Sequence, residues 1–265
     1  MCATCGCRAD EVRLTSVGTS DAAGQPAEHQ DGHTHTHGPG HTHTHDTHDH
    51  TDLRTHTIQL EQRILAKNDQ LAEDNRRWLA GRDIRAVNLM SSPGAGKTSL
   101  LERTIRESDR TVSVVEGDQE TVFDAERIRA AGARAVQVNT GTGCHLDATM
   151  VHRALEQLQP ETGGLVFIEN VGNLVCPALF DLGEHRKVVV ISVTEGDDKP
   201  LKYPHMFAAA DLVVVNKIDL LPYVDFDLAR MSDDARKLHR NLTILPISVR
   251  TGENVEDWHS WLSEL

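Results

Sequence analysis

An eight-residue segment carries the residue types that bind polyphosphates, and it reads Ser91-Ser92-Pro93-Gly94-Ala95-Gly96-Lys97-Thr98. Apolar residues 86–90 before it predict a buried strand, and residues 99–105 after it predict a helix. Strand, glycine-rich turn and helix predict a P-loop, in which backbone N–H groups and the helix N-terminus surround phosphate oxygens. Lys97 is placed to reach the β- and γ-phosphates, and Thr98 to bind magnesium. The predicted phosphate-binding residues are Gly94, Ala95, Gly96, Lys97, Thr98 and Ser99.

A second pattern, Asn216-Lys217-Ile218-Asp219, follows a predicted strand at residues 212–215 and indicates guanine as the base. The Asp219 carboxylate can accept hydrogen bonds from the ring N–H and the exocyclic amine of guanine, whereas adenine offers no matching pair. Lys217 can lay its methylene stem along the purine face. Asn216 can hold the loop, and Ser248 after the last predicted strand can brace it. GTP is therefore the predicted nucleotide.

Two acidic side chains, Asp118 and Glu169, lie at the carboxyl ends of two further predicted strands of a parallel sheet. Ligands of such sheets bind at the carboxyl ends of the strands. With Thr98, these carboxylates predict a magnesium site, and with Lys97 they predict phosphoryl transfer from GTP to water. Since no residue is recognisable as the one that orients the attacking water, we predict a slow GTPase whose hydrolysis acts as a switch.

Cys144, His145 and Cys176 form a candidate metal site, since each follows the carboxyl end of a predicted strand. Two thiolates and an imidazole suit nickel or zinc. Two buried structural cysteines and a surface histidine are the alternative interpretation.

The N-terminal region holds two further candidate metal-binding segments. Cys2, Cys5 and Cys7 can converge on one soft metal ion, although a structural zinc or iron–sulfur site would require four cysteines. Residues 8–56 lack hydrophobic periodicity and contain ten of the 16 histidines, which predicts a disordered segment. An affinity tag and a linker without a metal role are the alternatives to nickel binding there. The alternating histidines that can share nickel, zinc or copper are His33, His35, His37, His41, His43 and His45.

Composition limits the location and the partners of the chain. The formal net charge of −13 disfavours binding to nucleic acid and to anionic membranes. The sequence contains neither an apolar run long enough to span a bilayer nor a secretory signal after Met1. We therefore expect a cytoplasmic protein whose five cysteines are thiols available to metals.

Strands that alternate with helices predict an α/β fold with a doubly wound, mostly parallel sheet. The expected organisation is a metal-binding tail over residues 1–56 and a P-loop GTPase domain over residues 57–265, beginning with a helix. The predicted strands are residues 86–90, 111–116, 134–138, 165–170, 187–193, 212–215 and 242–247, and the predicted helices include 57–83, 121–131, 146–158 and 224–240.

Taken together, these segments resemble the HypB family, the nickel-incorporation GTPases of nickel–iron hydrogenase maturation. The family also accepts serine at position 91, where P-loops usually have glycine. The matching segments are CATCGC at 2–7, the histidine-rich insert, NLMSSPGAGKTSLLE at 88–102, GDQET at 117–121, TGTGCHLDA at 140–148, ENVGNLVCP at 169–177, TEGDDKPLKYP at 194–204 and NKIDL at 216–220.

The resemblance implies a SIMIBI-like cytoplasmic GTPase that forms a GTP- or metal-dependent homodimer and passes nickel to the hydrogenase large-subunit precursor. It also implies cooperation with a zinc-containing HypA-type chaperone. By motif matching, Cys2, Cys5 and Cys7 correspond to a tight N-terminal nickel site. The residues that correspond to a nickel or zinc site at or near the dimer interface are Cys144, His145 and Cys176.

Three other functions fit part of the sequence. A urease-type, UreG-like nickel GTPase shares the fold, but the CATCGC segment and the loop at 194–204 argue against it. A nickel storage protein with a vestigial GTPase is disfavoured by the intact nucleotide motifs, although storage can be a second role of the tail. A GTPase chaperone for a cobalamin enzyme would not need the tail.

Overall fold

One eight-stranded sheet with helices on both faces forms the body of the protein. The computed structural model describes residues 13–15, 50–118, 123–141 and 143–265. The strands are β1 (Arg13–Thr15), β2 (Arg85–Ser91), β3 (Val112–Asp118), β4 (Arg134–Asn139), β5 (Leu165–Gly172), β6 (Arg186–Ser192), β7 (Leu212–Asn216) and β8 (Thr243–Pro246).

In the described residues, eight α-helices connect or follow these strands, together with three 3-10 turns at Cys176–Leu179, Val193–Glu195 and Ile218–Tyr223. Within the described ranges, no helix is long and apolar enough to cross a bilayer. The helices are α1 (His50–Ala80), α2 (Lys97–Glu107), α3 (Phe123–Ala130), α4 (Ala148–Leu158), α5 (Lys199–Lys202), α6 (Pro204–Ala209), α7 (Leu228–Leu238) and α8 (Val255–Ser263).

The strand order is β1-β4-β3-β5-β2-β6-β7-β8, and β2 lies where the winding changes direction. Strands β2 to β8 are parallel, whereas β1 pairs antiparallel with β4 at the edge. The predicted doubly wound parallel sheet is confirmed. Ligands of such sheets bind beyond the carboxyl ends of the strands beside the switch point, which here are β2, β3, β5 and β6.

Alternating side chains of each strand fill separate cores on the two faces of the sheet. On one face, Val114 and Phe167 pack with Leu100 of α2 and with the buried indole of Trp258 in α8. On the opposite face, Val115 and Ile168 pack with α4, and α1 covers α4. Because neighbouring residues of a strand point to opposite faces, the last residues of β3 and β5 reach two different environments.

The element bounds differ from the predicted ones mainly at helix ends. Helix α1 begins at His50 rather than at residue 57, and it ends at Ala80. Helix α4 begins at Ala148 because the Asp147 side chain caps it by accepting a hydrogen bond from the N–H of Met150. Helix α7 begins at Leu228, since Asp227 caps it in the same way.

Two segments have more structure than the sequence pattern predicts. Residues 194–204, predicted to be a long polar loop, include most of a 3-10 turn, the short helix α5 and the first residue of α6. Both helices have proline in their first turn. Strand β1 lies within the segment predicted to be a disordered tail. Its three residues have no strand signature of their own and are ordered by pairing with β4.

Candidate functional site

The turn between β2 and α2 forms the predicted P-loop. Gly96, which immediately precedes α2, has a φ of 103°, a conformation that glycine adopts at little cost. The Lys97 ammonium donates to Ser91 Oγ over 2.7 Å. The unusual serine at the start of the motif therefore holds the phosphate-binding lysine. Burial lowers the pKa of Lys97, and the nearby Glu169 carboxylate opposes that shift.

Two carboxyl groups face Lys97 from neighbouring strands. Glu116 of β3 and Glu169 of β5 are in register, and both side chains are buried. Thr98 Oγ1 donates to Glu169 Oε1 over 2.8 Å. The Oε2 atoms of both carboxyl groups are buried without a hydrogen-bond partner among the described residues.

The pKa values of both carboxyl groups reflect this confinement. Burial raises the pKa of Glu169 to about 7, and Lys97 and Thr98 limit that rise. Burial, together with the negative charges of Glu169 and Asp118, raises the pKa of Glu116 to about 9. Unpaired carboxyl oxygens beside a threonine hydroxyl and the Asp118 carboxylate suit a hard divalent cation, so these residues fit magnesium.

The nucleotide cleft begins at these residues and continues to the predicted base site. Its phosphate end has a volume of about 530 Å³ and is lined by Lys97, Thr98, Glu116, Asp118 and Glu169 among others. Asp219 lines an adjoining cavity of about 840 Å³. Since Gly96, Ser99 and Lys217 line both cavities, the two form one continuous cleft.

Residues of the second motif are tied directly to the P-loop. Asn216 Nδ2 donates to the Ala95 carbonyl over 2.9 Å, and Lys217 Nζ donates to the Gly94 carbonyl over 2.7 Å. A Cβ atom at Gly96 would lie 2.4 Å from Asn216 Nδ2, so only glycine permits this approach.

The Asp219 carboxylate is held in a fixed orientation at the base end of the cleft. It accepts hydrogen bonds from Ser248 Oγ at 2.6 Å and from Arg250 Nε at 3.0 Å. Both bonds lower the pKa of Asp219, the serine bond more than the arginine bond, so the acid is ionised at neutral pH. Because the Arg250 side chain is 80% exposed, its guanidinium can move away and free the Asp219 carboxylate for an incoming base.

The candidate metal ligands are also brought together. Cys144 Sγ lies 3.0 Å from Cys176 Sγ and 3.7 Å from His145 Nδ1, and the three ligand atoms all lie within 4.8 Å of one another. The His145 ring stacks on Phe180 with centroids 4.0 Å apart. Burial lowers the pKa of His145, which leaves a neutral imidazole that can bind a metal ion.

This candidate metal-ligand cluster adjoins the nucleotide cleft. Cys144 lines a cavity of about 400 Å³ together with Ser92 and Pro93 of the P-loop and Tyr203. The predicted N-terminal and tail ligands lie outside the described residues. They are Cys2, Cys5, Cys7, His33, His35, His37, His41, His43 and His45.

Comparisons with known proteins identify the family. The family model described as CobW/HypB/UreG, nucleotide-binding domain, matches residues 85–246. The hydrogenase maturation factor HypB of Rhizobium leguminosarum bv. viciae is 59% identical over 207 residues, which are 77% of this chain and 69% of that protein. This chain belongs to the HypB family.

Other HypB proteins support the same assignment. HypB of Escherichia coli K12 is 54% identical over 207 residues, covering 77% of this chain and 71% of that one. A crystal structure of HypB from Helicobacter pylori in complex with nickel has a TM-score of 0.73 at 40% identity, covering 75% of this chain and 94% of that one. The crystal structure of HypB from Archaeoglobus fulgidus has a TM-score of 0.71 at 42% identity, covering 76% of this chain and 98% of that one.

Sequence patterns did not reveal Glu116, a buried acidic residue of the cleft in this HypB chain. An acid inside an apolar strand is typical of a solvent-facing position, and Asp118 at the strand end already supplies a carboxylate. The signal was the spacing, because residues two apart in a strand share a face. Glu116 therefore points to the same side as Asp118, and its register partner Glu169 completes an acidic group of three.

We expect Gly96→Ala to weaken GTP binding at least about tenfold more than Gly94→Ala does. Both glycines have positive φ, which costs a substituted alanine roughly 1–2 kcal/mol. Only the Gly96 variant also collides with Asn216, whereas no described atom lies within 4 Å of a Cβ at Gly94. Titration of both variants with a fluorescent GTP analogue checks this. Equal losses would show that the Asn216 contact does not matter for binding.

We expect Glu116→Gln to reduce the pH dependence of stability between pH 7 and 9 in the nucleotide-free protein. The folded protein keeps a proton on Glu116 up to a pKa of about 9, whereas the unfolded chain releases it near 4.5. Folded protein thus binds more protons in this range, and its stability falls as pH rises. Glutamine cannot titrate. Melting temperatures that fall in parallel for the variant and the native protein would contradict this assignment.

Proposed function

We propose that this chain is a GTP-hydrolysing nickel metallochaperone that delivers nickel to the nickel–iron hydrogenase large-subunit precursor during maturation. One observation carries the proposal. A ligand set of two thiols and an imidazole lies at the same end of the sheet as the nucleotide cleft, and both share the P-loop as a wall. Nickel is the cargo in this proposal, and GTP is the substrate.

Phosphoryl transfer would use residues that the cleft already positions. Lys97 and the P-loop amides would stabilise charge on the β- and γ-phosphates. Thr98, Asp118 and Glu169 would hold magnesium, with Glu116 as a further oxygen donor. The metal, when bound, would neutralise charge on the phosphate oxygens. Asp219 would select guanine, because its ionised carboxylate can accept from the two donors of that base.

The cysteine and histidine cluster would hold the cargo. Thiolates with a neutral imidazole suit nickel and also zinc, so either metal is compatible with Cys144, His145 and Cys176. The related Helicobacter pylori protein is known in complex with nickel. We further propose that the tail over residues 1–56 binds metal ahead of the GTPase domain at 57–265, with Cys2, Cys5 and Cys7 as its tightest nickel ligands.

Transfer of the cargo would be coupled to the nucleotide. The relatives are hydrogenase maturation factors, which supports a hydrogenase precursor as the client. We propose a homodimer that forms with GTP or metal and a zinc-containing HypA-type chaperone as partners in this transfer. The exposed side chains of Val175 and Leu179, which flank Cys176, give such a partner an apolar surface beside the metal site.

We expect the native protein to hydrolyse GTP in preference to ATP and Asp219→Asn to lower that preference. A hydrogen bond to a charged group contributes about 1.5–3 kcal/mol, which corresponds to a loss of roughly 10- to 150-fold in the GTP-to-ATP ratio of kcat/KM. Lys97→Ala, in which phosphate stabilisation is removed, serves as the inactive control for phosphate release assays. Equal turnover of ATP and GTP by the native protein would rule out the guanine assignment.

We expect Cys144→Ala to remove one thiolate-bound nickel ion per chain and to change GTP affinity far less. The background is the full-length chain with Cys2→Ser, Cys5→Ser and Cys7→Ser, so that thiolate-to-nickel charge-transfer absorption reports only the Cys144 and Cys176 thiolates. Tail histidines do not produce this absorption. Unchanged absorption in the Cys144→Ala variant would show that the cluster does not hold nickel.

A further inference from the structure

Leu146, immediately after the two metal ligands Cys144 and His145, packs against the strand that carries two acidic residues of the cleft. Its side chain is fully buried. A Cβ atom at Gly117 would lie 2.8 Å from Leu146 Cγ, so the leucine sits directly on the glycine backbone. Gly117 separates Glu116 and Asp118 in β3. Leu146 thus touches β3 from the face opposite to the nucleotide.

The backbone of Leu146 is attached to the second acidic strand. Its N–H donates to Asn170 Oδ1 over 3.2 Å. Asn170 follows Glu169 in β5, and because neighbouring strand residues point to opposite faces, Glu169 faces the P-loop while Asn170 faces the metal loop. Leu146 therefore contacts both acidic strand ends at once.

Asn170 is fixed to its own strand and to the core, so it moves with β5. It is 1% exposed, and its Oδ1 also accepts from the N–H of Val171 over 3.0 Å. Its Nδ2 donates to Asn88 Oδ1 over 3.3 Å, and Asn88 donates in turn to Glu184 over 3.1 Å. Buried amides that are satisfied on both sides rigidify their surroundings.

A second asparagine holds the same loop. Asn173 Nδ2 donates to the Cys144 carbonyl over 3.3 Å, and its Oδ1 accepts from the N–H of Val175 over 2.8 Å. The segment from β5 to Cys176 therefore holds both ends of the 144–146 loop.

We propose that Gly117, Leu146 and Asn170, named here the Leu146 junction, transmit the nucleotide state to the metal site as positioning residues. The inference rests on the proposed function above and names the route by which its two sites are coupled. Switch segments of GTPases change position when the γ-phosphate leaves. A displacement of the end of β3 or β5 would reach Cys144 and His145 through the two contacts of Leu146. Metal sites tolerate only about 0.2 Å in ligand distances, so a small displacement changes nickel affinity.

The test measures nickel affinity at saturating GDP and at a saturating non-hydrolysable GTP analogue, and the readout is the ratio of the two affinities. The reference is the full-length chain with Cys2→Ser, Cys5→Ser and Cys7→Ser, monitored by thiolate-to-nickel absorption. A typical coupling gives this reference a ratio of roughly 5- to 150-fold. Saturation with nucleotide separates the ratio from any loss of nucleotide affinity.

We expect Asn170→Ala and Gly117→Ala to bring the ratio close to one. Asn170→Asp keeps an acceptor for the Leu146 N–H and should retain more of the ratio than Asn170→Ala does. Because Gly117 and Leu146 are in contact, the effects of Gly117→Ala and Leu146→Ala on the ratio should not add in the double variant.

Asn75→Ala is the matched control for the loss of a buried amide. Asn75 is fully buried and donates to the carbonyls of Ala148 and Leu182 over 2.9 and 3.0 Å, without a hydrogen bond to the 144–146 loop in the described structure. This variant should be destabilised but should keep the reference ratio.

Two outcomes separate the inference from the function on which it rests. Equal nickel affinities in both nucleotide states of the reference would contradict the coupling in the proposed function. If the Asn170→Ala and Gly117→Ala variants keep the affinity ratio of the reference, the role of the Leu146 junction is wrong, whereas the coupling in the proposed function still stands. If Gly117→Ala fails to fold, the test uses Asn170→Ala and Asn170→Asp instead. An affinity ratio as large as that of the reference in both of these variants would contradict the role of the Leu146 junction.

Discussion

The burial of Glu116 and Glu169 beside Lys97 is the interaction on which the rest of this structure depends. A buried carboxyl group without a full set of partners is costly, and here the pKa values of both groups rise as a result. Such an arrangement is expected where a bound ligand supplies the partners that these carboxyl oxygens lack. It requires β3 and β5 to be adjacent and in register, and it requires α2 to begin with its lysine and threonine against them. The doubly wound strand order provides this placement.

The same strand ends also serve the opposite face of the sheet. Glu169 and Asn170 are consecutive, yet one bonds to Thr98 in the cleft and the other to the backbone N–H of Leu146 in the metal loop. A parallel sheet is thin enough for one strand to hold two different ligand sites, provided that the polar side chains on both faces are satisfied. The Asn170, Asn88 and Glu184 hydrogen bonds meet that condition on the metal side. In the proposed function, a displacement of these strand ends would therefore reach both the candidate metal site and the nucleotide cleft.

Local patterns predicted most of this architecture, and contacts distant in sequence account for the rest. The P-loop and the Asn216 motif are short and carry their own geometry, so their residues and flanking strands were predictable. Cys144, His145 and Cys176 could be grouped because each follows a strand end in a parallel sheet. Glu116 was missed because an acid in a strand does not reveal which face is buried. The contact of Leu146 with Gly117 depends on how a loop crosses the sheet, which no local pattern encodes. The pairing of strand β1 with β4 is likewise a contact distant in sequence.

Reciprocity offers the most direct test of the claim that one set of strand ends serves both sites. If nucleotide state alters nickel affinity, nickel must alter nucleotide affinity by the same factor. The measurement is the ratio of GTP-analogue to GDP affinity, with and without one equivalent of nickel, on the full-length chain with Cys2→Ser, Cys5→Ser and Cys7→Ser. The account predicts that nickel changes this ratio and that Cys144→Ala abolishes the change. An identical ratio with and without nickel would contradict it.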